Sequence, residues 1–444
     1  MTTPDATSRR GRPGLQAVVF SALTLTVNLL TGVLIARALD TDGRGEVTAI
    51  LQAPLLLGAA LGLGCGTAVA YYLSRHPGDG PRLLGTWLVM LVPIGITALV
   101  AGLLLVPVLM SAQTDEAVHL GRLYVVTIVL VIFAELAYGM LLGHQDFLFY
   151  LALVFAHPAA TAIAYLALWV AGAFSVESAV VTSAIVSVAG TAIAFGRLLG
   201  TQGVGRPSLA IGRTTLWYGV RSHGTSLGGQ VNSRLDLLIM PAILAASSVG
   251  LYAVATSVSW IVVSFSALLG TVVMPAAARQ GPRGHRTVIT ALHAILLISA
   301  LIALVLGLAA DLAVRLVYGP SFADSVLPLQ ILLPGSVLWA GATILVAGLY
   351  AANRPLTAFV PQAVGMLVTI VGLALFLEGG GIEAAAMISS ASYALVFAGC
   401  LVLYRRATGL AWSAFRPDPA ALWDALRRAM PVPARLRVRG AAGD

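Results

Sequence analysis

Residues 15–39 read LQAVVFSALTLTVNLLTGVLIARAL and residues 47–73 read VTAILQAPLLLGAALGLGCGTAVAYYL, with only DTDGRGE (40–46) between them. A helix needs about 20 apolar residues to cross the hydrocarbon of a bilayer. Both runs are longer than that, and Arg37 is the single charge in the pair. They read as two membrane helices joined at their tips. The first run is too long for the apolar core of a cleaved signal peptide. The polar, basic stretch before it, MTTPDATSRRGRPG (1–14), predicts an N-terminus in the cytoplasm.

The composition extends this reading to the whole chain. It is 59% hydrophobic and 10% charged, with a mean hydropathy of +0.93. Soluble domains carry roughly a quarter charged residues. A chain of 444 residues with so few charges cannot cover its surface for water. The same length criterion finds further spans at 83–110, 118–142, 147–173 and 176–199, then 214–244, 249–277, 288–310, 326–350, 356–377 and 382–404. That predicts about twelve transmembrane helices in an all-α integral membrane protein.

The loops test this count. With the N-terminus inside, the cytoplasmic segments hold Arg75, Arg82, Arg206, Arg213, Arg279, Arg283, Arg354, Arg405 and Arg406. The external ones hold mostly acids, among them Asp40, Glu46, Asp115, Glu177, Asp311 and Glu383; only Arg44 and Arg315 fall clearly outside. This positive-inside bias predicts an even number of helices with both termini in the cytoplasm.

The two halves repeat. GEVTAILQAP (45–54) aligns with GLYAVATSVS (250–259), pairing Gly45 with Gly250, and SVESAVVTS (175–183) aligns with GIEAAAMIS (381–389), pairing Glu177 with Glu383. Each half has an even number of helices, so both enter from the same side, which is a parallel repeat. The expected organisation is a cytoplasmic segment 1–14, a six-helix bundle 15–199, a cytoplasmic linker 200–213, a second six-helix bundle 214–404, and a basic amphipathic cytoplasmic tail 405–444. The tail's Trp412, Phe415, Leu422, Trp423 and Leu426 face away from Arg427 and Arg428, which suits a helix lying on an anionic leaflet.

Several classes of function are disfavoured. No loop has room for a folded catalytic domain, which argues against a membrane-bound polymerase or glycosyltransferase. The net charge of +8 comes from arginines at helix ends and in the tail, a pattern of membrane topology that predicts no nucleic-acid partner. Cys65 and Cys400 lie in apolar runs without metal-ligand spacing and read as packing residues. No cofactor or metal is expected.

The hairpin GVLIARALDTDGRGEVTAILQAPLLLGAALGLGCGTAVAYYLSR (32–75) resembles the opening of the polysaccharide-unit flippases, the Wzx-type branch of the multidrug/oligosaccharidyl-lipid/polysaccharide (MOP) exporter superfamily. SRLDLLIMPAILAASSVGLYAVATS (233–257), VVMPAAAR (272–279) and LVYGPSFADSVLPLQILLPG (316–335) resemble later segments of that family in order and spacing. The Leu39-Asp40 step departs from it, because the family turn has Leu-Gly. The resemblance implies a MATE-like fold, a V-shaped pair of bundles that open a central cavity alternately to each side. It also implies a substrate, an undecaprenyl-diphosphate-linked sugar moved from the cytoplasmic to the outer leaflet. Partners then include membrane lipid, the lipid-linked oligosaccharide and the polysaccharide polymerase and glycosyltransferases of the same route.

A flippase needs no nucleophile. It needs hydrogen-bonding groups, because each unpaired polar group in hydrocarbon costs several kcal/mol, and positive charge for a diphosphate. The seventh span, TLWYGVRSHGTSLGGQVNSRLDLLIMPAIL (215–244), is the most polar. Arg221, Asn232 and Asp236 share one side of a helical wheel, and His223, Gln230 and Arg234 the other. A helix polar on both sides is expected to line the cavity and pack on protein behind. Arg221 reads as a headgroup contact or as an arginine snorkelling to water. Arg234 and Asp236 read as structural caps or inter-helix partners, with substrate binding as the alternative for both, and Arg37 reads as interfacial. Asn28 is a cavity candidate in the first span. Glu135 is the most isolated intramembrane acid, serving either as a coupling-proton site or in a structural hydrogen bond. His157 and His293 read as core residues. Two further functions stay open: a cation-coupled drug antiporter, which calls for an acidic cavity, and a non-transporting scaffold of a polysaccharide assembly complex.

Overall fold

A computed structural model describes residues 12–281 and 284–416. The expected tail beyond Arg416, the N-terminal arginines Arg9 and Arg10, and Arg283 lie outside the described residues. The described residues form helices joined by turns and short irregular segments, with no strand among them. Backbone polar groups in hydrocarbon must be satisfied within the chain, and a helix does this locally.

Nine helices among the described residues are long and apolar enough to cross a membrane. Two of them are double. Arg12–Leu61 contains one non-helical residue, Asp40, and Pro355–Thr408 contains one, Gly381. The chain reverses at both. A Cβ on Gly32 would lie 3.5 Å from Nη2 of Arg44, far closer than twelve residues of straight helix permit. Across Gly381, Ser392 Oγ donates to the Gly365 carbonyl at 2.9 Å. We number the helices α1 (12–39), α2 (41–75), α3 (Gly80–Leu109), α4 (115–143), α5 (Phe147–Val170) and α6 (Val176–Gln202) in the first half. The second half holds α7 (209–239), α8 (Ala246–Arg279), α9 (Gly284–Val317), α10 (Val326–Ala351), α11 (355–380) and α12 (382–408). Helix α7 is too polar to count among the nine. Short connections make the helices alternate, so Asp40, Thr114 and Ser175 share one end, the acidic end. Arg75, Arg206, Arg279 and Arg354 share the other, the arginine end.

Local chemistry sets several ends. Thr114 caps α4, accepting from Ala117 N–H at 3.2 Å, with Asp115 and Glu116 in the first turn, where the helix dipole favours acids. Ser175 and Ser178 form a reciprocal cap on α6. At Asp40 the backbone has φ 57° and ψ −165°, a region in which only glycine is at ease. The departure from Leu-Gly therefore carries strain, partly offset by the bond from Thr41 N–H to the Asp40 carboxylate at 2.9 Å. Asp40→Gly is expected to stabilise the protein by about 1 kcal/mol, read as a higher melting temperature in detergent. An unchanged or lower value would mean that the carboxylate bond outweighs the strain.

The buried side chains divide by half. One core, around Trp87, Leu91, Ile128, Leu136 and Leu198, comes almost wholly from α2 to α6. Two others, around Tyr252, Phe322 and Leu377 and around Leu292, Trp339 and Tyr404, belong to the second half. Cys65 and Cys400 are buried, free thiols within these cores. Outside, large apolar side chains such as Leu104, Val170, Leu308 and Leu375 stand exposed, as a lipid-facing surface requires.

The halves meet tightly at the acidic end. A Cβ on Gly45 would lie 1.7 Å from the carbonyl oxygen of Ala246, and one on Gly250 would lie 2.1 Å from that of Thr41. The two glycines paired by the repeat thus form the crossing of α2 with α8. Arg37 is not merely interfacial: its Nε donates to the Val317 carbonyl at 2.9 Å and its Nη2 to that of Leu316, capping α9 from the other half. Gln113 Nε2 donates to the carbonyls of Pro241 and Leu244, each at 2.9 Å. The DTDGRGE stretch is not an external loop. One residue makes the turn, and Arg44 is a buried helical residue.

Candidate functional site

A cavity of about 680 Å³ lies chiefly within the first half. The sequence places it between the halves with α7 as a main wall. Instead α7 supplies His223 and Gln230, and α1, α2, α4, α5 and α6 supply the rest. Asn28 and Thr31 line it from α1, and Glu135 and Tyr138 from α4. His157, Thr161 and Tyr165 come from α5, and Ser183, Ser187 and Thr191 from α6. The last two sets are each spaced by four residues, so each is a stripe down one helix face. That polar spacing is the signal by which the sequence could have located this wall.

His157 is therefore a cavity residue and not a core one; its Nε2 lies 3.2 Å from Ser187 Oγ. His293 is partly buried, with Nε2 donating to the Phe415 carbonyl at 3.0 Å. Tyr165 donates to the Ala179 carbonyl at 3.0 Å and lies 2.6 Å from Ser183 Oγ, tying α5 to α6.

Glu135 sits where α2 breaks. The helix stops at Leu61 and restarts at Cys65, with Leu63 (φ 53°) and Gly64 (φ 66°) left-handed between them. A break within a membrane frees backbone groups that need partners. Glu135 packs on the start of the second segment: a Cβ on Gly66 would lie 2.9 Å from its Cγ. His223 Nε2 donates to the Ala60 carbonyl, at the end of the first segment, at 2.9 Å. Glycines let these helices come close: a Cβ on Gly62 would lie 2.7 Å from Glu135 Oε2, and one on Gly64 would lie 2.9 Å from the Gly219 carbonyl of α7. The broken helix thus links a carboxylate of α4 to an imidazole of α7.

The other polar residues of α7 go elsewhere. The helix is interrupted after Asn232, at Ser233 and Arg234. Asp236 is buried in the second half, accepting from Tyr252 Oη at 2.6 Å, Ser389 Oγ at 3.0 Å and Leu237 N–H at 2.8 Å. Asn232 is buried near it and accepts from Ser392 Oγ at 3.4 Å. Arg234 lies over the Trp260 ring of α8, 5.3 Å from its centre. Arg221 is exposed, 5.8 Å from the centre of Trp217, and does not line the cavity. Of the residues singled out from sequence, Asn28, Glu135, His223 and Gln230 are brought together, and Arg221, Asn232, Arg234 and Asp236 are not.

No protein-family model matches the chain, and no curated protein sequence does. Solved structures do resemble it. One is an inward-facing multidrug resistance MATE family transporter of the MOP superfamily, with a TM-score of 0.72 and 15% identity over 89% of this chain and 98% of that one. Another is the lipid II flippase MurJ in an inward closed conformation, with a TM-score of 0.74 and 14% identity over 93% and 91%. A third is the MATE multidrug transporter DinF-BH, with a TM-score of 0.67 and 14% identity over 90% and 96%. At such identities the likeness is one of fold. The chain has the multi-pass, all-helical fold of these transporters and flippases.

Proposed function

We propose that this protein moves a lipid-linked oligosaccharide, carried on undecaprenyl diphosphate, from the cytoplasmic to the outer leaflet by alternating access. The observation that carries the reading is the cavity wall. Asn28, Thr31, Thr161, Ser183, Ser187 and Thr191 are uncharged and can donate and accept. Such a surface exchanges hydrogen bonds with sugar hydroxyls that would otherwise enter hydrocarbon unpaired. The acidic end is then external, both termini are cytoplasmic, and the membrane is a bacterial plasma membrane. The polymerase and glycosyltransferases that consume and supply such a lipid are the partners.

One observation favours a second reading. Glu135 is the sole carboxylate of the cavity wall among the described residues, and Tyr124, Tyr138 and Tyr165 line the same space. Aromatic faces and a carboxylate suit an organic cation, as in a drug antiporter. Proteoliposomes separate the two. The proposed reading expects flipping of a fluorescent undecaprenyl-diphosphate oligosaccharide and no uptake of cationic dye. Dye exchange driven by an ion gradient, without lipid flipping, would overturn it. An inside-negative potential assists outward movement of a diphosphate by about 2.3 kcal/mol per charge per 100 mV. Flipping that ignores the sign of an imposed potential would exclude electrogenic transport.

A further inference from the structure

Arg44 stands four residues beyond the Asp40 turn and is only 8% exposed. It lies where the halves meet. Its guanidinium packs over Gly32 of α1, and its best hydrogen bond runs from Nη2 to Ser257 Oγ of α8, at 3.5 Å. The ionisable groups acting on it are the phenols of Tyr165, on α5, and Tyr318, just past α9. Its Nε–H has no acceptor among the described residues. No carboxylate among them compensates it. The ion pairs among the described residues are Arg197–Asp146 and Arg315–Asp311. The acids nearest in sequence do not pair with it: Asp42 is exposed, Glu46 accepts from Thr114 Oγ1 at 2.8 Å, and Asp40 accepts from the Thr41 backbone.

A buried guanidinium with one long hydrogen bond is strongly destabilising. An apolar side chain of like size would serve packing better. The group makes physical sense when an anion supplies the missing charge and acceptors. We propose that Arg44 is the cationic wall of an anion site between the halves, for a phosphate or diphosphate. A guanidinium carries five N–H donors in a planar fork that fits phosphate oxygens two at a time. The site adjoins the cavity: Thr31, next to Gly32, and Tyr165 both line it. Helices α2 and α8 both belong to the crossing at Gly45 and Gly250, so an anion bound there touches the contact that holds the acidic end shut. This inference deepens the flippase reading and rests on it for the lipid-borne source of the anion; free pyrophosphate has the same chemistry.

The test uses the full-length protein in detergent, with undecaprenyl diphosphate, undecaprenol and inorganic pyrophosphate as separate probes. Wild type is expected to bind undecaprenyl diphosphate more tightly than undecaprenol. Arg44→Gln is expected to lose about tenfold or more of that affinity, while melting at or above wild type without ligand. Arg44→Lys is expected to keep part of the affinity and carries the test should Arg44→Gln not fold. Binding of pyrophosphate alone, dependent on Arg44, would uphold the anion site and overturn the lipid-linked reading. A wild type that binds neither diphosphate would overturn the site. So would an Arg44→Gln protein that binds undecaprenyl diphosphate as wild type does, and a lower melting point in that protein would assign Arg44 to fastening the helices.

Discussion

Replacing Gly45 by valine is expected to abolish transport and to destabilise the protein by about 1–3 kcal/mol or more. The cause is the crossing of α2 with α8. Even alanine would place a carbon 1.7 Å from the Ala246 carbonyl oxygen and 2.5 Å from its carbon. Ordinary contact lies near 3.5 Å, so the helices would have to part by about 1.5 Å or more. The displacement would not stay local. Ala112 N–H and Gln113 Nε2 both bond the Pro241 carbonyl, and Ser111 Oγ bonds that of Ala242, a few residues before Ala246. Those bonds between the halves would stretch together. Gly250→Val is expected to behave alike, and the double substitution to cost less than the sum, because both act on one crossing. Gly196→Ala is the control. It lies in α6 with nothing within 4 Å of its added carbon, and its stability should change by no more than about 0.5 kcal/mol. Thermal melting in detergent and lipid flipping in vesicles read both quantities. A Gly45→Val protein that melts and transports like wild type would show that the acidic end needs no close crossing.

That crossing marks what the sequence made legible and what it did not. The repeat alignment paired Gly45 with Gly250, since repeated backbones keep their small residues in register. It does not imply that the two touch, because similarity between halves carries no distance. Hydropathy located the helices well, for apolar length is what a bilayer demands. It failed at Arg44 because a reversal at one residue and a seven-residue loop have the same composition. The wheel on α7 sets His223 and Gln230, which line the cavity, opposite Asn232 and Asp236, but it groups Arg234 with the first pair although Arg234 lies over Trp260 and outside the cavity. It failed for Arg221, which shares the side of Asn232 and Asp236 yet is exposed. The wheel of a bare helix cannot reveal where the neighbouring helices stop covering it. Glu135 is recognisable as an intramembrane acid, whereas its place against Gly62 and Gly66, at a break in another helix, depends on tertiary packing.

Glu135 carries the second large effect, and two substitutions divide its two readings. Glutamine keeps the size and an accepting oxygen but cannot exchange a proton near neutrality. Alanine removes the side chain that packs against Gly62 and Gly66 at the α2 break, a loss of about 0.5–3 kcal/mol. Glu135→Gln is expected to melt within about 0.5 kcal/mol of wild type and to lose transport. Glu135→Ala is expected to lose transport and stability together. The reason for expecting loss in the glutamine protein is position: the carboxylate both lines the cavity and lies against the break in α2. His223 holds the other side of the same break from α7. A change of charge at Glu135 therefore alters the grip on a segment that joins the two halves. Transport at the wild-type rate in Glu135→Gln, with the alanine protein alone impaired, would reduce Glu135 to a packing residue at the α2 break. In that case energy coupling would have to be sought outside this cavity.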